Sequence, residues 1–169
     1  TREPQPRTPM RAALFHRHGG PEVLELGDVP VPEPGLGEVR LAVRAAALNH
    51  LDLFVRQGLP VAIPLPHIGG SDIAGVVDAL GPGVTGFAVG DRVVCYNGGL
   101  AAYAEYVLAP ADRVVRLPDG VSAEQGAAVM LQGLTAHYLA CTTYPLKPRH
   151  WFLLIAHQQI NIPKKAHRY

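Results

Sequence analysis

The sequence predicts a mainly β domain with added helices, an α+β fold in which a partly open β-barrel is followed by a C-terminal helical segment. The main observation is the stretch 67–94, where glycines separate short apolar runs at positions 69, 70, 75, 81, 83, 86 and 90. The β-branched residues in these runs favour strands, and Gly81-Pro82-Gly83 and Gly90-Asp91 supply the φ values that reverse the chain. Strand signals on both sides and a capped helical segment near the C-terminus complete the prediction.

The composition indicates a single domain with an ordinary core. A length of 169 residues is enough for one domain with a proper core and too short for two. A hydrophobic content of 48% and a charged content of 17% are ordinary for a globular protein. The net charge of +1 gives no reason to expect nucleic acid as a partner. No apolar run is long enough for a membrane helix, and the start lacks the layout of a signal peptide. With two cysteines only, the chain is expected in the reducing cytoplasm, away from membranes.

The first 30 residues predict a disordered extension and then a β-hairpin. Residues 1–9 contain three prolines and no large apolar side chain, so we expect them to be disordered. A first strand is predicted over residues 10–16 and a second over 23–29. The Gly-Gly-Pro sequence at 19–21 supplies the turn between them.

A half-exposed strand and a short capped helix come next. Apolar and more polar residues alternate over 39–44, and this period of two is typical of a strand with one solvated face. Asn49 is a good N-cap because its side-chain oxygen can accept a backbone N–H at the open end of a helix. The helix is predicted near residues 49–57, and Gly58 is placed to end it.

Two further strands and a long helix are predicted after the glycine-rich stretch. The strands are expected over residues 103–108 and 114–117. Ser122 and Gln125 have the spacing of a capping box, so a helix is predicted near 122–141, with Gly133 as a break or a close packing point. Prolines at 60, 64 and 66 predict an extended surface loop earlier in the chain.

Four sequence stretches, taken in order, carry a family resemblance. They read FHRHGGPEVL at 15–24, ALNHLD at 47–52, GSD at 70–72 with GDRV at 90–93, and LQGLTAHY at 131–138. In these stretches the chain resembles the zinc-independent quinone oxidoreductases, the zeta-crystallin-like members of the medium-chain dehydrogenase/reductase superfamily. The resemblance covers residues 10–148. It implies a GroES-like domain, NADPH as cofactor and hydride transfer from the nicotinamide to a small-molecule quinone or enone.

The resemblance ends where the family continues into a Rossmann-type cofactor domain. That domain opens with a glycine-rich loop that holds the pyrophosphate. Residues 149–169 contain no glycine, so no dinucleotide fingerprint can be built from them. They contain four basic residues and no acidic residue. We therefore expect the cofactor domain to be absent, the tail to be foreign to the fold and the chain to be inactive as it stands. The alternatives are a tail that anchors the chain to a membrane surface or nucleic acid, and a non-catalytic binding remnant.

The resemblance also implies a site without a metal ion. Metal-dependent relatives place a cysteine where Asn49 stands here, and a Gly-His-Glu sequence where this chain has Gly-Ser-Asp at 70–72. Because Asn and Ser are poor zinc ligands, no zinc is expected. The competing hypothesis is an alcohol dehydrogenase-like protein that has kept zinc.

Four residues are implied by the resemblance to face the nicotinamide end of the cofactor, namely Asn49, Asp52, Phe54 and Thr135. Phe54 stands where some relatives have a tyrosine, so one hydroxyl donor is missing. Each residue also has a purely structural interpretation, for example Asn49 as an N-cap and Asp52 as a first-turn carboxylate that the helix dipole favours.

Without a cofactor domain, the crossover helix is expected to expose apolar surface. Met130, Leu134 and Tyr138 are the residues that this surface would include. Such a patch favours self-association, with a homo-oligomer as one outcome.

Overall fold

A computed structural model describes residues 9–58, 63–96 and 101–150. The chain divides into two compact units, the first ending at Leu131 and the second beginning at Gln132. Three predicted segments lie at least partly outside the described residues. They are the disordered extension except for Pro9, the part of the proline loop that contains Pro60, and the tail except for residues 149 and 150.

The first sheet of the first unit contains the predicted hairpin. Its strands are β1 (Pro9–Phe15), β2 (Glu25–Pro30) and β4 (His67–Ile68), with β1 in the middle and both pairings antiparallel. A single 3₁₀ turn (Pro21–Val23) lies between β1 and β2. The first strand begins at Pro9, which pairs with Pro30, so this residue is not part of a disordered extension as predicted.

The second sheet has five strands in the order β7, β3, β5, β6 and β8, all antiparallel. Their bounds are Glu38–Ala47 for β3, Asp72–Leu80 for β5, Arg92–Tyr96 for β6, Tyr106–Pro110 for β7 and Val114–Arg116 for β8. An isolated bridge links Ala12 of β1 to Ala104, just before β7 begins. Within the described residues the strands form two sheets and no closed barrel, in agreement with the predicted partly open barrel.

Strand β5 separates the two main apolar clusters of the first unit. Ile73 and Val77 point to a core that also contains Leu41 and Val93, among others. Ala74, on the opposite face, belongs to a second cluster. A strand buried on both faces explains why this segment is apolar at nearly every position, whereas the alternation predicted for 39–44 fits the half-exposed β3.

The glycine at position 75 lies inside β5 and marks no turn. It pairs with Val43 at a point where the β3 register shifts. A Cβ atom at this position would lie 2.3 Å from the carbonyl oxygen of Ala42. Glycine is required here because the backbone of the bulged neighbouring strand comes too close for a side chain.

Both predicted helices are present. Helix α1 spans His50–Gln57 and ends at Gly58, whose left-handed φ of 86° fits the predicted cap. Helix α2 spans Ala123–His137 and continues as a π-helical turn over Tyr138–Thr143. The helix runs through Gly133 without the predicted break, because one glycine costs only about 1 kcal/mol in a helix interior.

The capping box predicted for α2 is confirmed by two hydrogen bonds. The backbone N–H of Ser122 donates to the Gln125 side chain at 3.0 Å, and the backbone N–H of Gln125 donates to the Ser122 hydroxyl at 3.2 Å. Both donors would otherwise be unsatisfied at the helix start.

The first part of α2 packs on the outer face of the second sheet. Ala127 joins Ala74, Val94 and Leu117 in an apolar cluster, and Met130 packs against it. Gly126 permits this close approach, because a Cβ atom there would lie 2.7 Å from both Leu117 and Val94. Leu134 and Tyr138, in the second unit, are exposed as predicted, whereas Met130 is half-buried.

None of the helices in the described residues is long and apolar enough to cross a membrane.

The Gly75→Ala substitution should destabilise the chain by about 3 kcal/mol or more, because the new methyl group would overlap a strand backbone that cannot move freely. Gly120→Ala is the matched control, since Gly120 has a φ of 82° and open space around it. Only the left-handed backbone is strained there, at a cost of about 1–2 kcal/mol. Urea unfolding followed by circular dichroism measures both, and equal losses would contradict the steric explanation.

Candidate functional site

The pairing of β3 with β5 creates a polar cluster at one end of the second sheet. Ala47, the last residue of β3, lies opposite Asp72, the first residue of β5. Asn49, two residues after Ala47, is therefore brought next to Asp72 as the chain enters α1. Among the described residues, the buried polar side chains are Asn49, Ser71 and Asp72. Together with Asp52 and Tyr103, they form what we call the polar cluster.

The Asp52 carboxylate accepts hydrogen bonds from three different segments. The backbone N–H of Asn49 donates to Oδ2 at 2.7 Å, and the Tyr103 hydroxyl donates to the same oxygen at 2.8 Å. The Ser71 hydroxyl donates to Oδ1 at 3.3 Å. The first of these bonds is one half of a capping box, which confirms Asn49 as the N-cap of α1. Asp52 thus fixes the start of α1 against two loops.

Asp72 is the second acceptor of the polar cluster. Its Oδ2 accepts from the side-chain Nδ2 of Asn49 at 3.1 Å and from the backbone N–H of Leu131 at 3.2 Å. Burial raises the pKa of Asp72 above its ordinary value, and the nearby Asp52 adds to the rise. The hydrogen bonds from Asn49 and Leu131 act in the opposite direction on this pKa.

Tyr103 reaches Asp52 from a loop that lies beside the start of β5. Backbone hydrogen bonds from Ala102 to Gly70 and from Tyr103 to Gly69 hold this loop, at 3.3 and 3.0 Å. The tyrosine ring lies so close to Gly70 that a Cβ atom there would be 2.7 Å from it. Burial is the main cause that raises the pKa of Tyr103, and the hydrogen bond to Asp52 raises it further. The Tyr103 hydroxyl therefore keeps its proton and acts as a donor.

The predicted site residues are brought together only in part. Asn49 and Asp52 are hydrogen-bonded neighbours. Phe54 is on α1 but largely exposed, and its ring packs against His50 with 5.7 Å between centroids. Thr135 is exposed on α2, in the second unit.

The sequence interpretation gave no role to Asp72 or Tyr103. For Asp72, the available signal was an acidic residue at the start of a largely apolar run, where a lone charge is unexpected. For Tyr103 no local signal exists, because its partner Asp52 lies 51 residues earlier in the chain.

An open groove of about 450 Å³ lies next to Tyr103. It is lined by Arg11, Ala13, Leu26, Val43, Tyr103 and Glu105, among others. In the part of the chain that the structure describes, no three His, Cys, Asp or Glu side chains are placed to hold a metal ion together.

Replacement of Tyr103 by phenylalanine should lower the free energy of unfolding by about 1–3 kcal/mol, because a half-buried carboxylate loses one of its donors. Tyr106→Phe is the control, since the Tyr106 hydroxyl has no hydrogen-bond partner within residues 9–58, 63–96 and 101–150. Chemical denaturation of both variants measures the difference. A loss no larger than that of the control would show that the bond to Asp52 is unimportant.

Comparison with known proteins gives relatives over most of the chain. The sequence profile of the alcohol dehydrogenase GroES-like domain matches residues 35–119. The quinone oxidoreductase of Pseudomonas aeruginosa is 50% identical over 133 residues, which cover 79% of this chain and 41% of the relative. Quinone oxidoreductase 1 of Escherichia coli is 39% identical over 142 residues, which cover 84% and 43%.

Solved structures show the same similarity. The quinone oxidoreductase of Pseudomonas syringae has a TM-score of 0.79 at 45% identity, covering 82% of this chain and 43% of that one. The Escherichia coli quinone oxidoreductase complexed with NADPH has a TM-score of 0.78 at 38% identity, covering 82% and 42%. The chain thus spans about two fifths of the length of these relatives. It belongs to the family of alcohol dehydrogenase GroES-like domains, and within that family to the quinone oxidoreductase-like proteins of the medium-chain dehydrogenase/reductase superfamily.

Proposed function

We propose that this chain forms the substrate-side wall of an NADPH-dependent reductase that transfers hydride to a quinone or an enone. Its relatives named quinone oxidoreductase support the first class of acceptor. A 2-haloacrylate reductase from Burkholderia, 37% identical over 150 residues, supports a conjugated double bond as the second. The Escherichia coli structure with NADPH supports this nucleotide as cofactor.

The observation that carries the proposal is an apolar surface directly beside the polar cluster. Helix α1 has no buried residue, and Leu48, Leu53 and Phe54 are exposed at its start and along it. The adjacent hydrogen bonds fix the start of the helix. Flat rings such as nicotinamide and quinone bind on apolar surfaces that have a few fixed polar groups at their edge.

Within this proposal, the chain supplies orientation. NADPH, when bound, supplies the hydride from its nicotinamide. Asn49 and Asp52 would hold the start of α1 at the nicotinamide end, Phe54 would offer its exposed ring, and Thr135 would contribute a hydroxyl from α2. Because Asn49 is only 3% exposed, its contribution is the placement of α1 more than a broad contact surface.

Hydrogen bonds support a mechanism without a metal ion. Asn49, Ser71 and Asp72 stand where metal-dependent relatives have zinc ligands, and here these residues are hydrogen-bonded within the protein. The Asn49 side chain donates to Asp72 at 3.1 Å, and the Ser71 hydroxyl donates to Asp52. These oxygen and nitrogen atoms are used for structure, and none of them comes from the thiolate or imidazole groups that zinc favours.

Cytoplasmic location is also proposed, on the basis of the cysteines. Cys95 is fully buried, and burial raises its pKa to about 11. Such a thiol stays neutral and unreactive, which fits a structural residue in a reducing compartment.

Purified and extensively dialysed protein should contain no stoichiometric zinc. The reason is that the polar cluster presents carboxylates that are already hydrogen-bonded within the protein. Elemental analysis by mass spectrometry measures the zinc-to-protein ratio, with a zinc-type alcohol dehydrogenase as positive control. One zinc per chain would support the alternative of an alcohol dehydrogenase-like protein that has kept its metal.

The 169-residue chain alone should bind NADPH with a Kd above about 1 mM, which corresponds to a binding free energy no more favourable than about −4 kcal/mol. It should not reduce quinones. Residues 149–169 contain no glycine from which a pyrophosphate loop could be built. Calorimetric titration tests the binding, and NADPH oxidation in the presence of a quinone tests the turnover, each beside the full-length Pseudomonas aeruginosa quinone oxidoreductase. Micromolar binding by the short chain would overturn this part of the proposal.

A further inference from the structure

Asp72 is an acidic side chain buried at a position where the surrounding structure is apolar. It has no measurable exposure and opens β5 on the same strand face as Ala74, the face that packs against α2. Within the described residues, no lysine, arginine or histidine forms an ion pair with it. Burial of a carboxyl group is costly unless its oxygens are well used, so its hydrogen bonds are informative.

One oxygen of Asp72 joins the two helices of the fold. Its Oδ2 accepts from the Asn49 carboxamide, at the start of α1, and from the Leu131 backbone N–H in α2. In an uninterrupted helix the N–H of residue 131 would point only at the carbonyl of Ala127. Two donors from separate helices therefore meet on a single atom.

The other oxygen indicates the chemical form of the side chain. Oδ1 is buried and has no hydrogen-bond partner among the described residues. An oxygen buried without a partner disfavours the charged form of the side chain, because burial of an unpaired charge costs more than burial of a neutral group. The direction of the Asp72 pKa, raised by burial, agrees with the neutral form.

We propose that Asp72 is a positioning residue, which fixes the Asn49 carboxamide at the entry to α1 and the Leu131 N–H of α2 through one shared oxygen. This inference rests on the proposed function, because Asn49 is one of the residues proposed to face the nicotinamide end. Asp72 acts through Asn49 and makes no contact with the reacting atoms.

A packing role alone would not need a carboxyl group. A leucine is larger but has no charge to bury, and it would leave the Asn49 and Leu131 donors without this acceptor. Asparagine, in contrast, retains a carbonyl oxygen for both. The Asp72→Asn and Asp72→Leu variants therefore separate positioning from filling.

The test is nuclear magnetic resonance on the 169-residue chain, which needs no cofactor. In the wild type, the Asn49 side-chain amide and the Leu131 backbone amide should shift together with pH, with one midpoint above the ordinary aspartate value of 3.8. The titratable groups near Asp72 are Asp52, Cys95 and Tyr103, and Arg113 acts on Cys95. In Asp72→Asn, this shared titration should disappear while both amides stay ordered.

Hydrogen exchange provides the second measurement. Exchange of the Leu131 amide should be about tenfold faster in Asp72→Leu, which corresponds to the loss of one ordinary hydrogen bond. In Asp72→Asn it should remain close to the wild-type rate. Asp112→Asn, at an exposed aspartate, is the control and should change neither measurement.

The sign of the pH effect on stability gives an independent check. Because the folded-state pKa is raised, the native chain holds more protons than the unfolded chain between 3.8 and the raised value. Stability due to Asp72 should therefore fall as pH rises through this window, and Asp72→Asn should lack the fall.

Separate titrations of the two amides, or unchanged Leu131 exchange in Asp72→Leu, would overturn the positioning role. If Asp72→Leu does not fold, the wild-type titration and Asp72→Asn still decide the question. A shared titration in a protein that holds one zinc per chain would reject the proposed metal-independent function and keep the link between Asn49, Asp72 and α2.

Discussion

Three hydrogen bonds converge on the Asp52 carboxylate, and the rest of the site depends on them. They come from the N-cap of α1, from Ser71 before β5 and from Tyr103 in a distant loop. A short helix without buried residues has little apolar contact to hold it. The carboxylate supplies what burial does not, because it ties the first turn of α1 to two loops of the β domain.

Close backbone contacts at glycine make this arrangement possible. The Tyr103 ring can lie over Gly70, and so reach Asp52, only because Gly70 has no side chain. Gly126 plays the same part where α2 meets the sheet, and this contact brings the following turn of α2 near Asp72. The glycines of this domain thus act through space as well as through turn geometry.

Burial of Asp72 shows how the domain combines stability with a polar site. An apolar side chain would suit the cluster of Ala74, Val94 and Ala127 better. The carboxyl group instead connects Asn49 and Leu131, so that the start of α1 and the middle of α2 share one acceptor. Such a link gives the exposed apolar side chains of α1 a fixed position, which the proposed reductase function would require.

The sequence by itself determined the local structure. The hairpin, the alternation in β3 and the caps at Asn49, Gly58 and Ser122 could be predicted, because each depends on residues close in the chain. The partly open β architecture could be predicted as a class from the many short strands and the turns between them. Asn49 and Asp52 were implied as site residues by the family resemblance, and they are in contact because only three positions separate them at the start of α1.

Only the tertiary structure decided which distant groups meet. Three contacts depend on strand register and helix packing. Tyr103 meets Asp52 across 51 residues, and Asp72 meets Leu131 across 59. Gly75 pairs inside the sheet with Val43, about 32 residues earlier. A hydrophobic pattern specifies which face of an element is buried. It does not specify which polar atom lies opposite, because that follows from the register and packing distance of whole elements.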